Sequence, residues 1–265
     1  MMKISVITVC FNSSATLRAT MESVLLQKGT DVEYLVVDGG SNDGTVNLIR
    51  EYEPRFAGRM RWISERDEGM YDAINKGVVM ATGDLIGILN ADDRFEDERV
   101  LADVARAFDE SDGDLDGVYG DIRFVRGESD KTTRYYSSGF WRPWMHNWGY
   151  MPAHPSVYVR KDVFEKYGGY KLGYLISADF EWMTRIFCGS RRGRRLPPIK
   201  SRYLKRCMVT MRLGGKSTGG LKAMWILNAE NVRANRENGY FCCLPMMVPK
   251  YLYKIWGYVF NRKLE

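Results

Sequence analysis

The sequence predicts an α/β fold: a mostly parallel central sheet covered by helices, followed by a C-terminal helical appendage. Strand-like and helix-like segments alternate through the first hundred residues, and the strand-like segments are nearly all apolar. Apolar strands alternating with helices are typical of a parallel sheet that helices bury on both faces. No internal repeat or flexible linker is visible, and 265 residues fit one large domain.

The first segment, Lys3–Cys10, is a β-branched run typical of a strand. Ser13 or Ser14 is expected to cap the next helix, whose apolar residues from Leu17 to Leu25 follow helical spacing. The pattern then predicts strands over Val32–Val37, Met60–Ser64 and Asp84–Leu89, and helices over Val46–Tyr52, Tyr71–Met80 and Asp97–Phe108.

Beyond residue 115 the alternation weakens. Gly117–Gly120 and Arg123–Arg126 are expected to form a hairpin-like pair, and Val157–Arg160 another strand. Helices are predicted over about 177–188 and 221–238. The segmentation indicates one compact domain over residues 1–220 and a helical segment over 221–265.

Composition excludes several classes of protein. With 45% hydrophobic and 27% charged residues, the chain is neither disordered nor fibrous. It has no apolar run of the about 18 to 20 residues that a spanning helix needs, and its first residues lack the signal-peptide pattern. Five cysteines without C-x-x-C spacing and two histidines argue against a disulfide framework and a Cys/His zinc site. We therefore expect a cytoplasmic protein.

The charge is unevenly distributed. Residues 182–265 carry 18 Lys or Arg against three Glu, and eight of the basic residues fall within 191–206. Such a surface is suited to phosphate groups, nucleic acid or an anionic membrane, although a solvated basic face is the simpler alternative. No nucleic-acid-binding motif accompanies the basic residues, so nucleic acid is not expected as a partner.

Polar residues cluster where the predicted strands end. They are Asn12, Asp38, the Arg66-Asp67-Glu68 run and the Asn90-Ala91-Asp92-Asp93 run. Ligands of parallel sheets bind beyond the carboxyl ends of the strands. These clusters are therefore the predicted site.

Two of the clusters leave alternatives open. Asp92 and Asp93 are oxygen ligands of the kind that suit Mg²⁺ or Mn²⁺, yet Asp93 is equally well placed to cap the helix that follows. Asp38 is suited to accept a hydrogen bond from a base N–H, or to close the turn that follows it. Asp43 is expected to be a helix cap.

A second candidate region lies later in the chain. Asp179 and Glu181 fall at the start of a predicted helix, where they serve either as a general base or as caps that the helix dipole favours. His154 is a competing proton acceptor. The chain lacks G-x-G-x-x-G, the P-loop and G-x-S-x-G, so a dinucleotide site, a P-loop and a serine hydrolase are not expected.

Together, these segments resemble family 2 glycosyltransferases. The match is carried by Val6–Asn12 (VITVCFN), Val36–Thr45 (VVDGGSNDGT), Asp67–Gly77 (DEGMYDAINKG), Ala81–Asp84 (ATGD) and Asn90–Asp93 (NADD). It runs from residue 3 to about 95 and resumes more loosely at His154–Arg160 and Ala178–Trp182.

The resemblance implies a Rossmann-like A-type glycosyltransferase domain. It divides this domain into a nucleotide-sugar half over about 1–115 and an acceptor half over about 116–220. It implies a UDP-, GDP- or dTDP-linked sugar donor, a Mn²⁺ or Mg²⁺ ion, and inversion at the anomeric carbon.

The resemblance also assigns residues. Thr8 and Asn12 would lie along the nucleotide, Asp38 would hold the base, and Asp67 would lie near the nucleotide or the donor sugar. Asn90-Ala91-Asp92 occupies the place of the family's D-x-D motif, with Asn90 departing from the usual first aspartate and Asp92 holding the metal. Asp179 matches the catalytic base. His154 is expected at the donor site. Apart from the resemblance, the basic character of the later half predicts that Arg212 and Lys216, which flank Gly214-Gly215, close over the same phosphates.

The predicted function is transfer of a sugar to a glycan or polyprenyl-lipid acceptor in the synthesis of a bacterial surface glycan or glycolipid. An apolar stripe of Leu252, Ile255, Trp256, Val259 and Phe260, flanked by basic residues, favours peripheral contact with the cytoplasmic face of the inner membrane. Packing of this stripe on the catalytic domain or on a second subunit is the alternative. A nucleotidyltransferase and a non-catalytic nucleotide- or glycan-binding module are the competing functions.

Overall fold

The computed structural model describes residues 2–127, 130–191, 194–213 and 220–252. Within these ranges the chain forms a nine-stranded sheet, a two-stranded ribbon and seven α-helices, joined by turns and short 3₁₀ segments. The strands are β1 (Lys3–Cys10), β2 (Asp31–Asp38), β3 (Met60–Ser64), β4 (Leu85–Ile88), β5 (Arg94–Phe95), β6 (Gly117–Val125), β7 (Thr132–Tyr136), β8 (Tyr158–Arg160), β9 (Ser190–Arg191), β10 (Arg194–Arg195) and β11 (Ser201–Arg212). The helices are α1 (Leu17–Leu25), α2 (Thr45–Tyr52), α3 (Met70–Met80), α4 (Val100–Asp109), α5 (Lys161–Tyr167), α6 (Ala178–Cys188) and α7 (Gly220–Glu237).

The first half of the sheet is parallel, as predicted. Strands β3, β2, β1 and β4 lie side by side in this order, and all three ladders between them are parallel. In the register, Cys10 is opposite Asp38 and Asp38 is opposite Ser64. Three strands therefore end at the same level, and the loops that follow them share one edge of the sheet.

The second half of the sheet is mixed. β8 lies antiparallel between β4 and β6, β6 runs parallel to the long β11, and β5 and β7 add antiparallel edges. The expected hairpin within residues 117–126 is wrong, because β6 is a single strand and its hairpin partner is β7. The prediction took Gly120 as a sign of a turn. A Cβ at this position would lie 2.5 Å from Met208 Sδ, so the glycine instead allows close packing inside a strand.

Alternate residues of the central strands enter two apolar layers. Ile4, Val6 and Val36 pack beneath α1, α2 and α4, whereas Ile7 and Val37 face α3, α5 and α6. Helix α3 lies especially close to β1, since a Cβ on its Gly77 would lie 2.4 Å from Ile7 Cγ2. This close approach holds α3 directly against β1.

Helix α1 begins without the expected serine cap. Its N-terminal flanking residue is Thr16, and no side chain caps it. Ser13 and Ser14 instead donate their backbone N–H groups to Thr45 Oγ1 (2.8 Å) and Asp43 Oδ2 (3.0 Å). Asp43 also accepts the Thr45 N–H at 3.1 Å, but the N-cap position of α2 is Gly44, so the prediction that Asp43 itself is the N-cap is wrong by one residue.

Helix α7 packs against α6, and Asn238 just beyond it donates a hydrogen bond to the buried Glu181 carboxylate at 3.1 Å. No helix in the described ranges combines the length and apolar character needed to cross a bilayer. Of the predicted C-terminal apolar stripe, only Leu252 falls within the described residues; Ile255, Trp256, Val259 and Phe260 lie outside them.

Candidate functional site

The loops after β1 and β2 are joined to each other at the carboxyl edge of the sheet. Asn12 donates its N–H to Ser41 Oγ at 2.7 Å, and its Oδ1 accepts the Asn42 N–H at 3.0 Å. Asn12 adopts a left-handed backbone (φ 50°), which asparagine tolerates better than most residues. It remains exposed, so the structure places it at the predicted site.

Asp38 is fully buried beneath these loops. Its Oδ2 accepts hydrogen bonds from Gly40 N (3.1 Å), Ser41 N (2.9 Å) and Ser64 Oγ (2.6 Å), and its Oδ1 accepts from the Ser41 and Cys10 side chains. These donors occupy most of the acceptor capacity of a carboxylate. The geometry is that of the turn-closing alternative, and direct contact between Asp38 and a base stays a prediction.

The carboxylate of Asp67 lies beside Gly39, in the loop that follows β2. A Cβ on Gly39 would lie 3.0 Å from Asp67 Oδ2 and 3.5 Å from the ring of Phe11, which is 64% exposed. Asp67 Oδ1 is held at 2.6 Å by Lys76 Nζ. None of the described residues donates a hydrogen bond to Oδ2, so this oxygen keeps its acceptor capacity, although the Asp67 side chain is only 7% exposed.

Thr8 is a different case. Its side chain lies inside the sheet at 0% exposure, and its Oγ1 finds no hydrogen-bond partner among the described residues. This burial does not support direct contact with a nucleotide at the sheet edge. Periodicity could have indicated this, because Thr8 points to the same face as the buried Val6.

The Asn90-Ala91-Asp92-Asp93 run follows β4 at the same edge. Asn90 donates from Nδ2 to Asp93 Oδ2 at 2.9 Å, and Asp93 is buried with no partner on Oδ1 in the described residues. Asp93 does not cap the next helix, as one alternative held, because α4 begins only at Val100. Burial raises the pKa of Asp92, while the nearby Arg212 acts to lower it.

Arg212 thus lies close to Asp92, and its contact with the donor phosphates stays a prediction. It ends β11 and lines a small pocket together with Asp92 and Asp93. A guanidinium beside a carboxylate at this edge provides both signs of charge for binding a phosphate and its counter-ion. The predicted Gly214, Gly215 and Lys216 lie outside the described residues.

Asp179 occupies the first turn of α6 and is partly exposed. Its Oδ1 accepts the Phe180 N–H at 2.8 Å and lies 3.5 Å from the hydroxyl of Tyr71, at the start of α3. Burial raises the pKa of the Asp179 carboxyl, and the nearby His154 opposes this rise. A carboxylate with a raised pKa is a better proton acceptor than an ordinary aspartate.

His154 is positioned by aromatic neighbours. Its Nε2 lies 2.8 Å from the Tyr170 hydroxyl, and burial lowers the pKa of the imidazole. Both main-chain groups of Tyr170 bond to the Asn75 side chain at 2.8 Å. Burial thus favours the neutral imidazole, which is close enough to Asp179 to influence the pKa of that carboxyl.

Glu181 is excluded as a proton acceptor. Its carboxylate is fully buried and is paired with Arg185 at 2.9 Å and with Lys171 at 2.8 Å. Sequence reasoning missed Tyr71, Asn75 and Tyr170 as parts of the site. Tyr71 and Asn75 belong to the quoted DEGMYDAINKG segment, so their motif was recognised but their role depends on tertiary contacts.

The residues present are compatible with a metal held jointly with a substrate. No group of three or more His, Cys, Asp or Glu side chains within the described ranges is arranged to hold an ion. Mg²⁺ and Mn²⁺ commonly bind through one or two carboxylates together with phosphate oxygens and water. Asp92 fits this requirement.

Comparison with known proteins identifies the family. The family described as Glycosyl transferase family 2 matches residues 5–172. The chain belongs to this family. An uncharacterised glycosyltransferase of Mycobacterium tuberculosis is 33% identical over 190 residues, which cover 69% of this chain and 68% of the relative. A PGL/p-HBAD biosynthesis glycosyltransferase of Mycobacterium bovis is 30% identical over 200 residues, covering 76% and 73%.

Solved structures show the same fold at low sequence identity. S. aureus TarS residues 1–349, solved in complex with UDP-GlcNAc, superposes with a TM-score of 0.64 at 15% identity, covering 100% of this chain and 76% of that one. The mannosyltransferase PcManGT of Pyrobaculum calidifontis, in complex with GDP-Man and Mn²⁺, gives 0.61 at 17% identity, covering 97% and 70%. The predicted A-type fold and the predicted glycosyltransferase activity of this family 2 enzyme are thus confirmed.

Proposed function

We propose that this glycosyltransferase moves a sugar, with inversion, from a nucleoside-diphosphate donor to a hydroxyl of a bacterial envelope glycan or lipid-linked acceptor. The observation that carries the proposal is Asp179, a partly exposed carboxyl at the start of α6 that Tyr71 links to the donor half. The neighbours' UDP-GlcNAc and GDP-Man support a nucleotide-sugar donor, and the relative's biosynthetic name supports an envelope acceptor.

The donor would bind along the carboxyl edge of β1, β2 and β4. Asn12 and the exposed ring of Phe11 would contact the nucleoside, and Oδ2 of Asp67, which has no donor among the described residues, would accept a base N–H. Uracil, thymine and guanine each carry such a donor. Arg212 would contact the diphosphate next to Asp92.

Asp92 would hold a divalent ion, which when bound supplies positive charge to the leaving diphosphate. Arg212 contributes charge of the same sign from the protein. The Asn90 amide, which bonds Asp93, adds no charge to this site. Fewer carboxylates at the motif predict a weaker affinity for free metal than a second aspartate would give.

The chemical step follows from the position of Asp179. Its carboxylate removes the proton of the acceptor hydroxyl while that oxygen attacks the anomeric carbon on the face opposite the diphosphate. The bond from the anomeric carbon to the diphosphate oxygen breaks, and its electron pair leaves with the nucleoside diphosphate. One displacement inverts the configuration, and Asp179 ends protonated beside the neutral His154 and Tyr71.

Neither competing function is favoured. A nucleotidyltransferase would need a basic, glycine-rich loop after β1, and residues 11–17 provide neither feature. A non-catalytic module would bind donor without turnover, whereas the family and its relatives are glycosyltransferases.

The test is Asp179→Asn, which preserves shape but cannot accept the proton. We expect donor hydrolysis in Mn²⁺ to fall by at least about 100-fold, while nucleotide affinity by calorimetry stays within about twofold. Asp162→Asn, at an exposed carboxylate in α5, is the matched control and should match the native chain. Native-like turnover by Asp179→Asn would remove Asp179 as the base.

A peripheral membrane contact is part of the proposal. Trp144 (63% exposed), Trp225 (66%) and Leu252 (65%) present large apolar side chains to solvent. The segment holding Trp144 touches residues 244–247, and so does α7, which holds Trp225. Exposed tryptophan on a chain whose later third is strongly basic suits an anionic lipid surface.

A further inference from the structure

The segment before the catalytic helix is held by a single carboxylate from α7. Glu230 accepts three consecutive backbone N–H groups: Leu175 N at 2.7 Å on Oε1, and Ile176 N and Ser177 N at 2.9 Å on Oε2. Glu230 itself is 9% exposed. A buried carboxylate with three amide donors is firmly placed.

These amides directly precede α6, whose first N–H groups have no partner within the helix. No side chain of the N-terminal flanking residue, Ser177, caps them. Glu230 thus places, from a distant helix, a negative charge and acceptor oxygens at the residues that lead into α6, where the helix dipole favours negative charge. Asp179 follows two residues after the last of the three amides.

The same segment is held from the opposite side by the donor half. The Tyr71 hydroxyl donates to the Ile176 carbonyl and also approaches Asp179 Oδ1 at 3.5 Å. Residues 175–177 are therefore fixed between Tyr71 on α3 and Glu230 on α7. Because Asp179 is attached directly to this segment, its place relative to the donor half depends on both contacts.

We propose that Glu230 is a positioning residue for Asp179, so that α7 is part of the catalytic unit. This inference rests on the proposed role of Asp179 as the base. The reacting groups must be held to within a fraction of an ångström, and a shift of about 1 Å can lower the rate about 100-fold. Loss of the Glu230 contacts would move the base without touching the donor.

The test uses the full chain with two variants of Glu230. Glu230→Gln keeps the size but directs an NH₂ group at an N–H donor, and Glu230→Asp keeps the charge on a side chain shorter by one methylene. Glu237→Gln is the matched control: Glu237 also lies on α7 and bonds the Lys171 and Tyr174 side chains at 3.1 and 3.0 Å, but it accepts none of the three amides.

Hydrolysis in Mn²⁺ is measured with UDP-, GDP- and dTDP-linked sugars, together with the affinity for the matching nucleoside diphosphate. Glu230→Gln should lower kcat about 10- to 100-fold with KM and nucleotide affinity within about twofold, and Glu230→Asp should recover part of the loss. Hydrogen exchange at residues 175–177 should be faster in Glu230→Gln and unchanged in Glu237→Gln.

Several outcomes would overturn the inference. They are native kcat in Glu230→Gln, equal losses in Glu230→Gln and Glu237→Gln, unchanged exchange at residues 175–177, or failure of both Glu230 variants to fold, which would make Glu230 a folding residue. Asp179→Asn is measured in parallel. If it turns over normally, or if the native chain hydrolyses no donor, the proposed function fails instead, and the exchange data still decide whether Glu230 holds the segment.

Discussion

At the scale of single residues, the proposed donor edge depends on Gly39, which has no side chain, as well as on the polar residues around it. Gly39 lies in the loop after β2 and has no side chain. Asp67 Oδ2 lies 3.0 Å from the position that a Cβ on Gly39 would occupy. Asp38, the residue directly before Gly39, is already engaged in hydrogen bonds with the backbone of this loop. We therefore propose Asp67, from the βα unit after β3, and not Asp38, as the carboxylate that contacts the nucleotide base.

Two substitutions test that role. Asp67→Asn removes the acceptor charge and the Lys76 ion pair, and Gly39→Ala forces the carboxylate aside. Each should weaken nucleoside-diphosphate binding in Mn²⁺ about 10- to 150-fold by calorimetry, since a hydrogen bond to a charged group contributes about 1.5 to 3 kcal/mol. Asp72→Asn is the control, because Asp72 also faces Lys76, at 3.5 Å, without bordering Gly39. Equal losses in Asp67→Asn and Asp72→Asn would indicate that the Lys76 ion pairs alone matter.

Asp92 is the second residue whose role can be measured directly. Asp92→Ala should lower both the Mn²⁺-dependent affinity for nucleoside diphosphate and the hydrolysis rate, because the diphosphate loses its counter-charge. The affinity measured in chelator should change little in this variant. A native chain whose hydrolysis is indifferent to chelator would contradict the metal assignment and favour neutralisation by Arg212.

At the scale of elements, one buried carboxylate joins the parallel strands at the end opposite the site. Glu33 of β2 accepts hydrogen bonds from Ser5 Oγ of β1 (2.6 Å), Arg61 of β3 (2.7 Å) and Thr82 N (2.8 Å) in the loop before β4. Burial acts to raise the pKa of Glu33, but these hydrogen bonds outweigh it and lower the pKa to about 2.

This network predicts how stability depends on pH. Because the folded pKa of Glu33 is depressed from 4.5 to about 2, its contribution is fully present above about pH 4.5 and is lost as the pH falls toward 2. Glu33→Gln should lower the free energy of unfolding at pH 7 by about 2 kcal/mol, a value reduced because Arg61 is half exposed to water. It should also flatten the acid-induced loss of stability.

Chemical denaturation at a series of pH values measures both effects. Glu51→Gln is the control, since Glu51 also pairs with an arginine, Arg18, but at an exposed position. If the free energy of unfolding falls equally with pH in Glu33→Gln and in the native chain, the Glu33 hydrogen bonds do not control the loss of stability in acid.

At the scale of the whole molecule, the exposed apolar residues and the basic later third predict reversible binding to anionic vesicles. Trp144→Ala combined with Leu252→Ala should reduce co-sedimentation with phosphatidylglycerol vesicles several-fold at low salt, because each removes an apolar contact with the interface. Binding of the native chain should also weaken as salt screens the basic surface.

Val79→Ala is the control, because Val79 is 84% exposed on α3 and does not belong to the segments around residues 143–148 and 244–252. No binding by the native chain at low salt would contradict membrane contact. Loss of dimerisation in the double variant, seen by light scattering, would favour the alternative that this surface meets a second subunit.

The sequence by itself determined the class of the fold and predicted which edge of the sheet binds the donor. The four parallel strands β1 to β4 were predicted to within one or two residues. Each is an apolar run that ends at turn-forming residues, and both signals can be read from the local sequence. The motifs after β1, β2 and β4 also indicated the family and the region of Asp92, and the looser match at Ala178–Trp182 indicated Asp179.

Tertiary structure decided what each polar side chain does. Asp38 and Asp67 look alike in sequence, but register and loop contacts engage both oxygens of the first and leave Oδ2 of the second without a donor among the described residues. Residues 175–177 and Glu230 are more than fifty positions apart, so no local pattern could pair them. Hydrogen bonds between distant segments form only when packing brings the segments together, and that packing depends on the summed burial of the whole chain.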